Sequence, residues 1–219
     1  MDFSVVVDSL PVYAEAAILT VRVAAQGILL ALIVGFVCAA IAHFKVPLLR
    51  QIVAGYIELS RNTPLLVQLF FLYFGLPKLG IVMSSETCAV VGLAFLGGSY
   101  MAEAIRSGLE SVAEIQMQSA LSLGLSRMEA LRHVIVPQAF AIALPALTAN
   151  VIFLIKETSV VGVVALPELV FVAKEQMGQV YETREALLLL VTFYLIILLP
   201  ISLFAGVLER KVRGHVFGS

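Results

Sequence analysis

The sequence predicts an all-α integral membrane protein with five transmembrane helices. Three observations carry that expectation. Of the 219 residues, 61% are hydrophobic and only 13% are charged, whereas soluble domains carry about 45–50% apolar and about 25% charged residues. The mean hydropathy is +1.03. The charges also cluster, leaving runs near the ~20 residues that cross a ~30 Å hydrocarbon layer.

The runs follow in order. Residues 23–42 lie uncharged between Arg22 and His43, and residues 62–77 between Arg61 and Lys78. Residues 87–102 follow between Glu86 and Glu103, residues 134–155 end at Lys156-Glu157, and residues 186–208 stop at Glu209-Arg210-Lys211. The second and third are short, but charged side chains at helix ends snorkel outwards. A repeat of Gly27, Ala31, Gly35 and Ala39 on the first run allows close backbone approach, and Ala139, Ala143 and Ala146 hint at the same on the fourth.

An odd number of spans puts the termini on opposite sides. Lys45, Arg50, Arg61, Arg106, Arg127, Arg132, Arg210, Lys211 and Arg213 fall on one side, against Lys78, Lys174 and Arg184 on the other. The positive-inside rule makes the first side cytoplasmic, with the N-terminus out and the C-terminus in. The expected organisation is an outer segment 1–18, a permeating domain 19–209 with a cytoplasmic loop 108–136, and a cytoplasmic tail 210–219. The N-terminus has no basic region of the signal-peptide kind. Arg22 opens the first span on the outer side, with Glu15 its expected partner. Cys38 and Cys88 lie in apolar runs, which argues against a structural disulfide.

The loop is the strongest local signal. Ser126-Arg127-Met128-Glu129 has the capping-box pattern that starts a helix, and Gly124 suits a helix stop. Two short helices joined by a tight turn are expected there, too structured for a simple tether.

At this loop the sequence resembles the permeases of ABC importers. They carry Glu-Ala-Ala, three residues, Gly, nine residues, then Ile-x-Leu-Pro; here Gln118-Ser119-Ala120, Gly124 and Val134-Ile135-Val136-Pro137 keep the spacing. Gln118 and Ser119 depart from the pattern, as does Ile115 where relatives often have Gly. Residues 56–68, 99–108, Pro137-Gln138-Ala139, Leu144-Pro145, Asn150 and Lys156-Glu157-Thr158-Ser159 resemble the branch that imports polar amino acids. The resemblance covers residues 15 to 210. It implies the type I importer permease fold in a bacterial inner membrane. It also implies a second permease copy or paralogue, two ABC ATPase subunits and an extracytoplasmic solute-binding protein. The segment around Gln118, Ser119, Ala120, Gly124, Ser126, Arg127 and Pro137 would couple ATP binding to movement of the membrane helices. No Gly-x-x-x-x-Gly-Lys-Ser/Thr loop is present, so ATP is expected on the partner, with no cofactor here.

Ionisable groups near the bilayer centre cost roughly 2.5–3.5 kcal/mol each on insertion scales. Lys156-Glu157 is therefore the pair to explain. A span beginning near Pro145 puts Lys156 about 17 Å along the helix, near mid-membrane; one beginning at Val134 puts the pair at the outer interface. The first placement is favoured, with Pro137 and Pro145 breaking the early part of the segment and Gly162 and Pro167 the later part. Thr63, Gln68, Asn150, Glu157 and Thr158 are the candidates to line a solute route, with Glu157 meeting an ammonium and amides or hydroxyls a carboxylate. The alternative is that these groups only bond helix to helix. Arg61 reads as a topology anchor or a gating group. His43, His133 and His215 sit at span ends or in the tail, and no Cys or His pair has ligand spacing, so neither a catalytic nor a metal site is expected. Low net charge, −1, argues against nucleic acid. An ion-coupled carrier or channel remains the alternative function.

Overall fold

A computed structural model of the chain describes residues 3–44, 47–179 and 181–217. Lys45 of the basic set, the chain ends and the side chains of His215 and Phe217 lie outside the described residues. No strand occurs among the described residues.

The helices are α1 (Phe3–His43), α2 (Leu49–Arg61), α3 (Leu65–Phe70), α4 (Ser85–Glu110), α5 (Glu114–Ser122), α6 (Arg127–Ala130), α7 (Val136–Glu157), α8 (Leu169–Gln179) and α9 (Thr183–Phe217). Four stretches are long and apolar enough to cross a membrane: Phe3–His43, Ser85–Glu110, Arg127–Val164 and Thr183–Gly214. The remaining expected span corresponds to the shorter apolar stretch Leu65–Leu79. It follows α2 along the bundle after a break at residues 62–64.

Side-chain contacts fix the directions. Gly27 of α1 lies against Leu93 of α4, and Gly35 against Met101, so α1 and α4 run parallel. Gly108 meets Ala139 and Ala143 of α7, whereas Gly97 meets Leu154, so α7 runs antiparallel to both. Ser60 of α2 bonds to Phe95 and Ser99, and Leu65 and Leu69 of α3 pack on Gly92. The α2–α3 pair thus climbs antiparallel to α4. The bundle has a loop end, carrying α5 and α6, and a far end, carrying α8.

The hub is α4, with 67% of its apolar window buried against 6% for α9. The small-residue stripe of α1 packs as expected: Gly27, Ala31, Gly35 and Ala39 are all buried. On α7 the expectation needs correction, because Ala139 and Ala143 are buried but Ala146 is exposed.

Three further expectations change. First, Pro137 and Pro145 do not break the fourth span, which runs helically from Arg127 to Val164. A π-helical turn at Leu131–Ile135 lets the chain accommodate Pro137, and Pro145 sits within α7; locally widened turns of this kind absorb prolines in helices. The later break does occur, at Ala165–Glu168. Second, the N-terminal segment continues α1 without interruption at residue 18. Its Tyr13 hydroxyl donates to Gln176 at 2.9 Å and to Ala186 O at 3.3 Å. Third, Arg22 pairs with Glu86 of α4 at 2.8 Å rather than with Glu15. That bond ties the middle of α1 to the first turn of α4.

A Cβ added at Gly97 would lie 2.5 Å from Leu154 Cδ1 and 2.8 Å from Ala31 Cβ, whereas one at Gly55 would meet nothing within 4 Å. Gly97→Ala is expected to lower the thermal midpoint in detergent, at an overpacking cost of about 1–3 kcal/mol. Gly55→Ala, in a helix interior, should leave the midpoint unchanged or raise it.

Candidate functional site

Asn62-Thr63-Pro64 interrupts the second crossing between α2 and α3. Pro64 has no N–H to offer Ser60 O and favours an extended residue before it. A helix break inside a bundle frees carbonyls that lipid cannot satisfy. Side chains reach several of the carbonyls around it. Asn62 Nδ2 donates to Glu58 O at 2.8 Å, and Thr63 Oγ1 to Leu59 O at 2.7 Å. Gln68 Nε2 donates to Ser60 O at 3.1 Å and to Thr63 O at 2.9 Å. The end of α2 is also fastened to α4 by the Tyr56 hydroxyl, 2.7 Å from Phe95 O, and by Ser60 Oγ, 2.9 Å from both Phe95 O and Ser99 Oγ.

The break borders a cavity of about 450 Å³ lined by Arg61, Asn62, Thr63, Tyr100, Phe153 and Glu157 among others. Leu154, three residues before Glu157, packs on Gly97 of α4. That sets Glu157 beside the middle of the uncharged stretch 87–102. Glu157 is half-buried and Lys156 exposed; no ion pair joins them among the described residues.

Arg61 supplies the opposite charge. Its guanidinium carbon lies 5.2 Å from the Tyr100 ring centroid, and Nη1 is 3.5 Å from Glu103 Oε2. Glu103 is held in turn by Arg106 at 3.0 Å. Tyr100 and Phe153 stack in a tilted pair with centroids 5.3 Å apart. The lining therefore includes a guanidinium and a carboxylate, with the rings of Tyr100 and Phe153 beside them. That is the complement of a zwitterion, and the volume lies within the ordinary range of about 300–1,000 Å³ for small-molecule sites.

The five sequence candidates separate. Thr63 and Glu157 line the cavity. Gln68 is buried behind the break, staples it, and lines a neighbouring apolar groove with Val67 and Phe71. Asn150 donates to Tyr100 O at 3.2 Å, joining α7 to α4. Thr158 is fully buried, its hydroxyl donating to Ile155 O at 2.7 Å, so it faces away from the cavity. Phe153 and Tyr100 were not anticipated. The four-residue spacing of Phe153 and Glu157, which puts both on one helix face, was the signal available.

At the far end, beyond the spanning stretches, Glu168 caps α8 by accepting from Val170 N at 2.8 Å and Phe171 N at 2.7 Å. Burial pushes its carboxyl up to about 7, against the pull of those two N–H groups.

The loop end carries the other expected feature. Ser126 and Glu129 form a reciprocal capping box. Gly124 takes φ +88°; its N–H reaches Leu121 O at 3.0 Å and that of Leu125 reaches Ala120 O at 3.2 Å. Those two bonds are a Schellman stop for α5. Ala120 and Ala130 are buried, while Gln118, Ser119, Ser126, Arg127 and Pro137 are exposed. Ile115, Leu123 and Met128 project with them, at 60%, 83% and 66% exposure. Apolar side chains displayed this openly on a polar turn mark a contact surface.

The sequence matches the family described as binding-protein-dependent transport system inner membrane component over residues 27–214. It is 36% identical to a probable amino-acid ABC transporter permease protein of Vibrio harveyi, covering 88% of each chain. It is 31% identical to the glutamine transport system permease protein of Escherichia coli, covering 97% of this chain and 98% of that one. Among solved structures, an amino acid ABC transporter crystallised with histidines matches with TM-score 0.89 at 30% identity, covering 96% of this chain and 99% of that one. An inward-facing MetNI methionine ABC transporter shares the fold, with TM-score 0.76 at 17% identity.

Replacing Gln68 with Leu removes the donors for two carbonyls in the break. Leaving buried acceptors unpaired costs about 1–3 kcal/mol each. The expected outcome is a lower thermal midpoint for Gln68→Leu than for Thr63→Val, which frees one carbonyl only.

Proposed function

The chain belongs to the binding-protein-dependent transport system inner membrane component family and is a permease subunit of an ABC importer, and from that premise we propose how it works. Its solute is a polar amino acid, as the names of its relatives suggest. A solute-binding protein delivers it on the side facing α8. The N-terminus lies on that outer side and the C-terminus in the cytoplasm, in keeping with the excess of Arg and Lys at the loop end. ATP is bound and hydrolysed by partner ABC subunits; this chain carries no cofactor of its own.

The observation that carries the reading is the separation of two built surfaces. One is a charged cavity beside the middle of the uncharged stretch; the other is a capped helical turn with bare apolar side chains at the loop end. In the cavity, Glu157 meets the solute ammonium, and Arg61 meets the carboxylate. Tyr100 and Phe153 flank the side chain. Arg61 does more than anchor topology, because its guanidinium is held over the cavity by Tyr100 and Glu103. At the loop end, Leu123 and its neighbours enter the ATPase, and the Gly124 turn fixes their direction. Closure of the ATPase pair moves α5 and α6, and the unbroken helix from Arg127 carries that motion to Glu157.

The deciding experiment is ATP-dependent uptake of a panel of amino acids by proteoliposomes holding the permease with its ATPase and binding protein. Glu157→Gln is expected to lower uptake at least about tenfold, the equivalent of about 1.4 kcal/mol, with assembly intact; unchanged uptake in an assembled complex removes Glu157 from the route. Leu123→Asp should abolish co-purification of the ATPase. Gly124→Val, strained at positive φ by about 1–2 kcal/mol, should weaken solute-stimulated ATP hydrolysis without changing helix content by circular dichroism.

A further inference from the structure

Arg61 belongs to more than the solute cavity. Its guanidinium is also the first member of a row of charges that leads along α4 away from that space. Tyr100, Glu103, Arg106 and Glu110 follow one another at helical spacing, so they share one face of α4. Tyr100 lines the cavity with Arg61, whereas Glu103, one turn nearer the loop end, does not. Arg106 grips Glu103 with a two-pronged fork, Nε to Oε1 at 3.1 Å and Nη2 to Oε2 at 3.0 Å. Its Nη1 reaches Glu110 at 2.7 Å.

The Arg61 side chain is held more loosely. Its Nη1 stands 3.5 Å from Glu103 Oε2, beyond the roughly 2.7–2.9 Å of a strong charge-assisted hydrogen bond. Its guanidinium carbon rests over the Tyr100 ring, and its side chain is 42% exposed against 29% for Glu103. The backbone on either side is fixed, because Ser60 is bonded to α4 and Asn62 to Glu58. Glu103 is therefore the rigid member of the pair and the Arg61 side chain the movable one. Removing one partner of a half-buried ion pair ordinarily strands the other, at a high cost. Here the Arg106 fork keeps Glu103 paired whichever way Arg61 turns. The row of charges can release the Arg61 guanidinium without leaving a carboxylate alone.

We propose that Glu103 is a positioning residue for the solute carboxylate, the resting counter-ion of Arg61 that the carboxylate displaces on binding and that takes the guanidinium back on release. The proposal rests on the importer reading above, in which Arg61 meets that carboxylate. Between solutes, Glu103 draws the guanidinium over Tyr100 and towards the loop end. An arriving carboxylate makes the short bond that Glu103 does not, and Arg61 turns to it about its flexible stem. Glu103 goes on competing while solute is bound. A route conducts only when its sites are strong enough to fill and weak enough to empty; without the competing carboxylate, Arg61 would hold solute tighter and pass it on more slowly.

The test measures uptake by the complete complex in proteoliposomes and, on the permease–ATPase complex in detergent, direct binding of the radiolabelled amino acid taken up fastest in the panel. Glu103→Gln keeps the shape of the side chain and an oxygen for Arg106 but removes the charge. It should bind that amino acid several-fold more tightly than wild type and carry it at a several-fold lower maximal rate, while Glu103→Asp, which keeps the charge, stays close to wild type in both. The methyl ester of the same amino acid has no carboxylate anion and should bind wild type and Glu103→Gln equally. The gain for the free acid should vanish in an Arg61→Gln background, as coupling between the two residues requires. Unchanged binding by Glu103→Gln, an equal gain for the ester, or a gain that survives Arg61→Gln overturns the counter-ion role. So does a lower thermal midpoint with acid and ester weakened together, which marks Glu103 as a staple between α2 and α4. In each of those cases ATP-driven uptake by wild type leaves the importer standing. Absence of that uptake overturns the importer assignment, and the role of Glu103 with it.

Discussion

Everything in the bundle depends on how closely other helices approach α4. In lipid there is no gain from merely hiding apolar side chains, so helix association rests on dense packing and hydrogen bonds. Helix α4 meets that demand with glycine at four of the approaches. Gly92 receives Leu65 and Leu69 of α3, Gly97 receives Ala31 and Leu154, Gly98 receives Tyr56 and Val34, and Gly108 receives Ala139 and Ala143. With α1, α2, α3 and α7 all held at short range, the side chains around the charged cavity are fixed from several sides. The cavity is a product of that packing.

The second constraint is backbone satisfaction. The break at Asn62-Thr63-Pro64 leaves Leu59 O and Ser60 O of α2 without helical partners, and the Thr63 and Gln68 side chains supply the missing donors. Polar residues in this stretch therefore divide into two groups with different work. Some, such as Gln68, hold the chain open. Others, such as Arg61 and Glu157, face the space that the opening creates. The same residue types serve both purposes, which is why their roles cannot be told apart by chemistry alone.

That distinction also marks where sequence and structure part. The helical class, the order of the crossings and the capped turn at Gly124 and Ser126 were legible because each rests on local rules: run length, charge placement and capping chemistry. The glycine-alanine stripe of α1 was legible for the same reason. The roles of Gln68 and Thr158 were not, because both point towards backbone partners that only the folded neighbourhood defines. Arg61 looked like a span-end anchor because the interruption after it resembles a helix start; the preceding helix α2 is amphipathic and carries too little apolar length to announce itself as part of the crossing. The continuity through Pro137 and Pro145 was hidden for a related reason. Proline is a breaker on average, and the π-helical turn that absorbs Pro137 leaves no compositional trace. The partner of Arg22 was sought two turns away, on its own helix, and lay instead on α4.

Helix α1 runs without a gap from Phe3 to His43, about 60 Å at 1.5 Å per residue. It is thus roughly twice as long as the apolar slab is thick. A rod this long, held by α4 from Arg22 to Gly35, converts a small tilt into a large displacement at its tips. A tilt of about 10° about its midpoint displaces each tip by about 5 Å, in opposite directions, on this length. Tyr13 near one tip is bolted to α8 and α9. Rocking of the rod would therefore be felt at both membrane faces at once, without a signal having to pass through side chains one by one.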